Sequence, residues 1–530
     1  MGVEQEESTN GPEPAIAPHN DASTPANYLL GWRLWTVFAS LGVMMFMVTF
    51  EIPVVATSIV AITRDIGGVD ESSWLLTSYL LGYVSIIVIS SKLSDMYGRR
   101  PLFVGCLATF LIGSVACSAA QTITQLIIFR AFQGIGGGGA YSLGTIITIE
   151  LFPVSQVPIA TARLSISVSL GLLLGPVIGG VISSRTTWRW IFIINVPFTV
   201  LALTCVMTSM PHDFPLQGQT SNLESGHGLQ KAQSTFNRLD IFGASLLLFA
   251  ILALTAGFEE AGSLFPWKSA YVITLLILGA ILTGALLIWE HHLTTKNGVR
   301  EPVLPTRFFT NRFISAILFT FFFLGGPFVI SVYQLPQRFQ LVNGLSGLEA
   351  GVRLIPFTLA SPLGTGFASA ISGKLKIPPI FIILSGAVLQ VIGFGLLGTL
   401  PITTTLLPRT YGFEIISGFG CGMNLALLFV IVPQVAEKRD RAVAMGSASQ
   451  FRMMGSAVAA AIVNSVFNGY TSPRLSSIRL SPMSNSSNQD EMVKLVYAKG
   501  FNLQMVVLAA LAAAQVPTAL LLWKRKQIRV

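Results

Sequence analysis

The chain has 530 residues, of which 52% are hydrophobic and only 11% charged, and its mean hydropathy is +0.68. A soluble domain carries roughly 25% charged residues, so this composition cannot solvate an ordinary protein surface; apolar runs recur from residue 34 to 522, each long enough to cross a bilayer. The net charge of +9 does not point to nucleic acid. The basic residues sit mostly in short loops between apolar runs, a pattern that orients a membrane protein and does not build a phosphate-binding face.

Residues 1–33 open the chain with an acidic stretch rich in Pro, Ser, Thr and Asn. It lacks the basic and apolar regions of a cleaved signal peptide, and reads as a disordered tail before an uncleaved first span. About fourteen spans follow. Six lie within 34–209, a Ser/Gln/Gly-rich linker occupies 210–239, two more spans fill 240–290, a basic loop takes 291–312, six spans fill 313–523, and a basic tail ends the chain at 524–530. An even number of spans puts both termini on one side. Lys92, Arg99 and Arg100, then Lys296, Arg300, Arg307 and Arg312, then Lys438, Arg439 and Arg441, and finally Lys524, Arg525, Lys526 and Arg529 place that side in the cytoplasm by the positive-inside rule. The last external loop, about 468–501, holds the sequon Asn485-Ser486-Ser487, which reads either as a glycosylation site or as an unmodified surface Asn.

Metal and cofactor chemistry find no support. Cys106, Cys117, Cys205 and Cys421 lie inside apolar segments with no C-x-x-C pair, and read as small core residues. His291 and His292 have no third ligand at suitable spacing. No nucleophile–base pair and no G-x-x-x-x-G-K-[ST] loop is present, which argues against an embedded enzyme and against ATP-driven pumping by this chain.

Between the second and third spans, Asp95, Gly98, Arg99 and Arg100 fall within six residues. Gly98 permits a tight reversal and Asp95 can pair with a loop arginine, a clasp able to hold one state of a two-state bundle. The fourth span carries Arg130-Ala131-Phe132-Gln133-Gly134-Ile135-Gly136-Gly137-Gly138-Gly139. Its G-x-G-x-x-G lacks the strand–turn–helix context of a dinucleotide site, so the glycines read as helix-packing positions. An arginine at that depth costs about 2.5–3.5 kcal/mol and needs a partner or a wet cavity. Glu51 on the first span lies at a similar depth and can pair with it, a carboxyl suited to bind a proton. In the fifth span Gly171, Gly175, Pro176, Gly179 and Gly180 make a smooth groove with a bend.

In chain order, these stretches resemble signatures of the major facilitator superfamily: G-x-L-x-D-x-x-G-R-[KR], with Ser91 in place of the first Gly; R-x-x-Q-G on the fourth helix; and G-x-x-x-G-P-x-x-G-G, which marks antiporters there. Phe50-Glu51-Ile52-Pro53 and the residues after it, Tyr333 to Pro356, and Gln450 to Gly455 are similar to the fourteen-helix drug:proton antiporter branch. Glu51 stands where that branch has Asp, and Gly373-Lys374-Leu375-Lys376 lacks the Asp of a second clasp. The resemblance implies two six-helix bundles with two inserted helices, no cofactor, and a single chain in the bilayer, at the plasma membrane or the vacuolar membrane. It further implies proton-coupled export of amphipathic drugs, toxins or secondary metabolites, with the alternative a nutrient or siderophore importer on the same fold. Glu51 and Arg130 would couple protons, and Gln133, Phe322, Phe419, Asn424 and Arg452 would lie along a cavity lined mainly by spans 1, 4, 9 and 12. Protease added to sealed cells is expected to cut within 468–501 and to spare the C-terminal tail; cleavage of the tail instead would invert this topology.

Overall fold

The computed structural model describes residues 29–67, 74–153, 156–212, 214, 240–261, 265–296, 302–437, 440–480 and 486–523. The sequon Asn485, the basic residues Arg300, Lys438, Arg439, Lys524, Arg525, Lys526 and Arg529, and nearly all of the 1–33 tail and the 210–239 linker lie outside the described residues. Fourteen long helices follow one another: α1 Gly31–Ile66, α2 Trp74–Tyr97, α3 Arg99–Ala119, α4 Ile123–Leu151, α5 Val157–Arg185, α6 Asn195–Ser209, α7 Ile241–Glu260, α8 Ala270–Lys296, α9 Arg312–Leu341, α10 Ile355–Leu375, α11 Pro379–Gly398, α12 Arg409–Val435, α13 Arg441–Leu480 and α14 Ser486–Leu520. One-turn or two-turn helices, Trp190–Ile193, Arg307–Thr310 and Gly347–Arg353, lead into α6, α9 and α10. No strand occurs among the described residues.

Twelve of these helices are long and apolar enough to cross a membrane by length and composition. The two that fall short, α4 and α13, are interior: residues 133–144 of α4 and 443–450 of α13 are buried almost without break. A helix screened from lipid by its neighbours can carry Gly, Gln and Arg that a lipid-facing helix cannot. At the other extreme, only 17% of the most apolar stretch of α8 is buried inside the protein.

The first six helices pack as one bundle, with α1 against α5 and α6, and α4 against α2 and α3. The last six repeat the plan, with α9 against α13 and α14, and α12 against α10 and α11. The halves meet where α5 lies on α10 and where α2 lies on α13, and the α7–α8 pair docks through α7 onto α2 and α13. Glycines set the closest approaches. A Cβ at Gly134 or Gly138 would strike the backbone carbonyls of Tyr79 or Tyr83 on α2, and one at Gly171, Gly175 or Gly179 would collide with α1.

The α1–α5 contact is thus a stripe of glycines four residues apart, seated on Thr49, Pro53 and Thr57. Gly180 faces open space instead. Overpacking a close-packed site costs about 1–3 kcal/mol and sometimes more. Gly175→Leu is therefore expected to lower thermal stability and to abolish transport in vesicles, whereas Gly180→Ala should leave the melting temperature unchanged.

Candidate functional site

Glu51 and Arg130 are both completely buried, and Arg130 Nη1 lies 2.5 Å from Glu51 Oε1. Each charge has further partners. Arg130 donates from Nη1 to Gln133 Oε1 at 2.8 Å and from Nε to the Leu75 carbonyl at 3.0 Å. Gln133 in turn donates to Ser114 Oγ at 2.9 Å, and Asn195 Nδ2 donates to Glu51 Oε2 at 2.6 Å. The guanidinium carbon lies 4.3 Å from the Tyr79 ring centroid. The site therefore draws on α1, α2, α3, α4 and α6 at once. Removing one partner of such a buried pair leaves an uncompensated charge and costs about 3–5 kcal/mol.

Neither Glu51 nor Arg130 lines either of two cavities found between the halves. A cleft of about 640 Å³ opens between α1, α5 and α9, lined by Pro53, Ala56, Thr57, Pro176, Gly180, Arg185, Tyr333, Pro336 and Gln337 among others. At 3.6 residues per turn, Glu51 and Pro53 point to opposite faces of α1, so the helix shows its proline and threonine to the cleft and its carboxylate to the bundle. The cleft occupies the half of the molecule away from the termini. A smaller cavity, about 50 Å³, lies nearer the terminal side and is lined by Met45, Tyr141, Thr145, Ser165, Phe328, Ser361, Phe429 and Met445 among others. The space between the halves is thus walled by α1, α5 and α9 on one side and by α1, α4, α5, α9, α10, α12 and α13 on the other.

Neither Gln133, Phe322, Phe419 nor Asn424 lines these cavities. Gln133 belongs to the Arg130 cluster. The Phe322 ring meets Phe323, and the Phe419 ring meets Phe367, whose side chain is exposed on the outer surface of α10. Asn424 donates to Gln515 Oε1 at 2.8 Å inside the second bundle. Arg452 sits between the halves, its Nη2 reaching the Tyr141 hydroxyl at 3.2 Å. Tyr141 stands at the end of an aromatic column, 6.0 Å from Tyr83, which lies 6.1 Å from Tyr79. The column connects Arg130 to Arg452, and hydropathy alone gave no sign of it.

On the terminal face, Arg99 pairs with Asp95 at 2.6 Å and with Glu150 at 2.7 Å, and also donates to Ser94 Oγ. Gly98 adopts φ +95°, a left-handed value that joins α2 to α3 in one residue. Arg100 ties the turn to the Met207 carbonyl of α6 at 2.6 Å. Glu150, at the end of α4, is a clasp member that sequence reading missed; an acid in the last turn of the fourth span was the available signal. Ser91 bonds Ser142 at 2.8 Å and packs against Gly446 of α13, so the close contact expected of a Gly is carried across to the other half. In the second half, where the matching loop lacks Asp, Arg307 bonds Asp440 at 2.6 Å on the same face. Among the described residues no group of His, Cys, Asp and Glu is placed to hold a metal ion.

The sequence profile of the Major Facilitator Superfamily matches residues 36–259 and 241–460. The chain belongs to this superfamily. It is 33% identical over 526 residues to the MFS-type transporter FPY5 of Fusarium mangiferae, covering 97% of this chain and 87% of that one. It is 32% identical to Multidrug resistance protein 3 of Bacillus subtilis (strain 168), covering 81% and 79%, and 27% identical to the MFS-type efflux pump MFS1 of Trichophyton rubrum, covering 83% and 79%. Among solved structures, the proton:xylose symporter XylE superposes with a TM-score of 0.56 at 16% identity over 93% of this chain and 96% of that one. A bacterial homologue of the human lysosomal transporter Spinster gives 0.57 at 13%, over 94% and 100%. This facilitator is a multi-pass membrane transporter, and its relatives are transporters rather than enzymes.

Asp95→Asn removes the charge that Arg99 shares with Glu150 while keeping the side chain's shape. Slower turnover in vesicles with near-normal surface expression is the expected result; loss of expression alone would reduce the clasp to a folding element.

Proposed function

We propose that this facilitator exports amphipathic small organic molecules, among them drugs, toxins or secondary metabolites, in exchange for protons, working as a monomer by alternating access. The observation that carries this reading is the buried Glu51–Arg130 pair, whose hydrogen-bonded cluster ties α2, α3, α4 and α6 to α1. Two relatives bear the names efflux pump and multidrug resistance protein, and the glycine stripe on α5 matches the antiporter signature.

The coupling runs through α1. With the cleft open away from the termini, Glu51 is ionised and held by Arg130 and Asn195. Protonation from that side neutralises Glu51 and loosens its tie to Arg130, which keeps Gln133 and the Leu75 carbonyl as partners. α1 is then free to shift along the smooth α5 surface at Gly171, Gly175 and Gly179, and Pro53 supplies a bend at the point of contact. The Asp95–Arg99–Glu150 clasp, with Gly98 and Arg100, holds the terminal face shut while the cleft is open and releases as the halves rock. The Tyr79–Tyr83–Tyr141 column links the pair to Arg452 at the interface between halves. In this scheme 34–209 and 313–523 are the moving bundles, 240–290 the inserted pair, and 1–33, 210–239, 291–312 and 524–530 cytoplasmic segments; the protein resides in the plasma membrane or the vacuolar membrane, and Asn485 faces outward, where it can be glycosylated.

Reconstituted vesicles with an imposed pH gradient and an amphipathic dye panel headed by ethidium test the scheme. Glu51→Gln is expected to abolish gradient-driven dye export while dye binding persists, and Arg130→Ala to impair both. Uphill export by the Gln variant would show that Glu51 is not the proton carrier.

A further inference from the structure

The second bundle contains a counterpart of the Glu51 site with its charges exchanged. Residues 129–138 of α4 read Phe-Arg-Ala-Phe-Gln-Gly-Ile-Gly-Gly-Gly, and residues 413–422 of α12 read Phe-Glu-Ile-Ile-Ser-Gly-Phe-Gly-Cys-Gly. The glycines occupy equivalent contacts. Gly134 and Gly138 abut the carbonyls of Tyr79 and Tyr83 on α2; Gly418 and Gly422 abut those of Phe357 and Ser361 on α10. Gly136 meets Phe110 of α3, and Gly420 meets Gly386 and Gln390 of α11. The register is therefore structural as well as sequential, and it puts Glu414 where the first half has Arg130.

The partners follow the same exchange. In the first half, Asn195 of the sixth helix donates to the acid on the first. In the second, Asn502 of α14 accepts from the arginine on α9, with Arg338 Nη1 at 2.8 Å from Asn502 Oδ1. Asn502 then donates to the Leu400 carbonyl at 2.6 Å, which fixes its amide orientation as an acceptor toward Arg338.

The two sets differ in one respect. Glu51 is paired, whereas Glu414 is completely buried and neither of its carboxylate oxygens has a hydrogen-bond partner. Arg338 is the charged neighbour that acts on it, yet that arginine is engaged with Asn502. Arg353, on the short helix before α10, donates to the Tyr411 hydroxyl; α11 contributes no titratable side chain between Pro379 and Gly398, and α12 offers only Arg409 and Tyr411 nearby. An ionised carboxylate stripped of water and of donors is strongly disfavoured, and such a group takes up a proton.

We propose that Glu414 is a second proton-binding site, its carboxyl protonated in this conformation and turning to pair with Arg338 when the proton leaves. Each half of the transporter then carries one acid–arginine–asparagine set, the first closed and the second open, with acid and base exchanged between equivalent helices. This goes beyond the coupling role of Glu51 and does not depend on it.

Infrared spectroscopy of the purified full-length protein in lipid nanodiscs tests the site without a transport substrate. The difference spectrum of wild type minus Glu414→Gln at neutral pH is expected to show a protonated-carboxyl carbonyl stretch that disappears on alkaline titration and persists in Glu51→Gln. Arg338→Gln removes the charge that favours ionisation, so the midpoint of band loss should rise by about one pH unit or more. A difference spectrum without that band, recorded against folded Glu414→Gln, overturns the proposal. Should Glu414→Gln fail to fold, an unchanged midpoint in folded Arg338→Gln overturns it equally. Persistence of the band in Glu51→Gln alongside lost dye export would separate the two acids, and failure of Glu51 as the carrier would leave the Glu414 result standing.

Discussion

A guanidinium placed in hydrocarbon needs partners, and the first bundle gathers them around the Nε and Nη1 of Arg130. Its partners come from the first helix as a carboxylate, from the second as a backbone carbonyl and an aromatic face, and from its own helix as Gln133, itself anchored to the third. None of these groups can leave without exposing another.

Close helix approach makes this geometry possible. Where α4 meets α2 and α3, glycine replaces any side chain that would hold the backbones apart, so that the Leu75 carbonyl comes within reach of Arg130. The same device recurs between α5 and α1, where a stripe of glycines is seated against Thr49, Pro53 and Thr57. The clasp at the terminal face complements this arrangement. Arg99 divides its charge between Asp95 and Glu150, joining the ends of α2, α3 and α4, and Ser91 meets Gly446 across the interface, so the state of the first bundle is felt by the second.

The second half carries no copy of the first clasp. Arg307 and Asp440 stitch α9 to α13 on the terminal face, a different pair of helices from those joined by Asp95 and Arg99. Duplicated scaffolds keep backbone contacts, which tolerate only glycine, more strictly than charges, which can be exchanged provided each remains near an opposite. Glu414 facing Arg338 is such an exchange.

Much of this was legible in the chain itself. Apolar runs laid out the order of the helices, although α4 and α13, screened by their neighbours, fall short of the hydropathy of a span, and the depth of Glu51 and Arg130 followed from rise per residue alone. The Gly98 turn, the Asp95–Arg99 pairing and the glycine groove on α5 are local in sequence and needed no tertiary information. What the chain could not supply was azimuth. Whether Glu51 turns toward the cleft or into the bundle, whether Phe419 meets substrate or lipid-side Phe367, and whether Asn424 lines a cavity or bonds Gln515 depend on helix rotation, which hydropathy leaves free. Asn195, Ser114 and Glu150 are unremarkable residues until three-dimensional packing brings them within 3 Å of a charge, an oxygen or an amide. The sequence determined which groups must be satisfied in the membrane; only the packing of five helices around one arginine decided which partners would satisfy them.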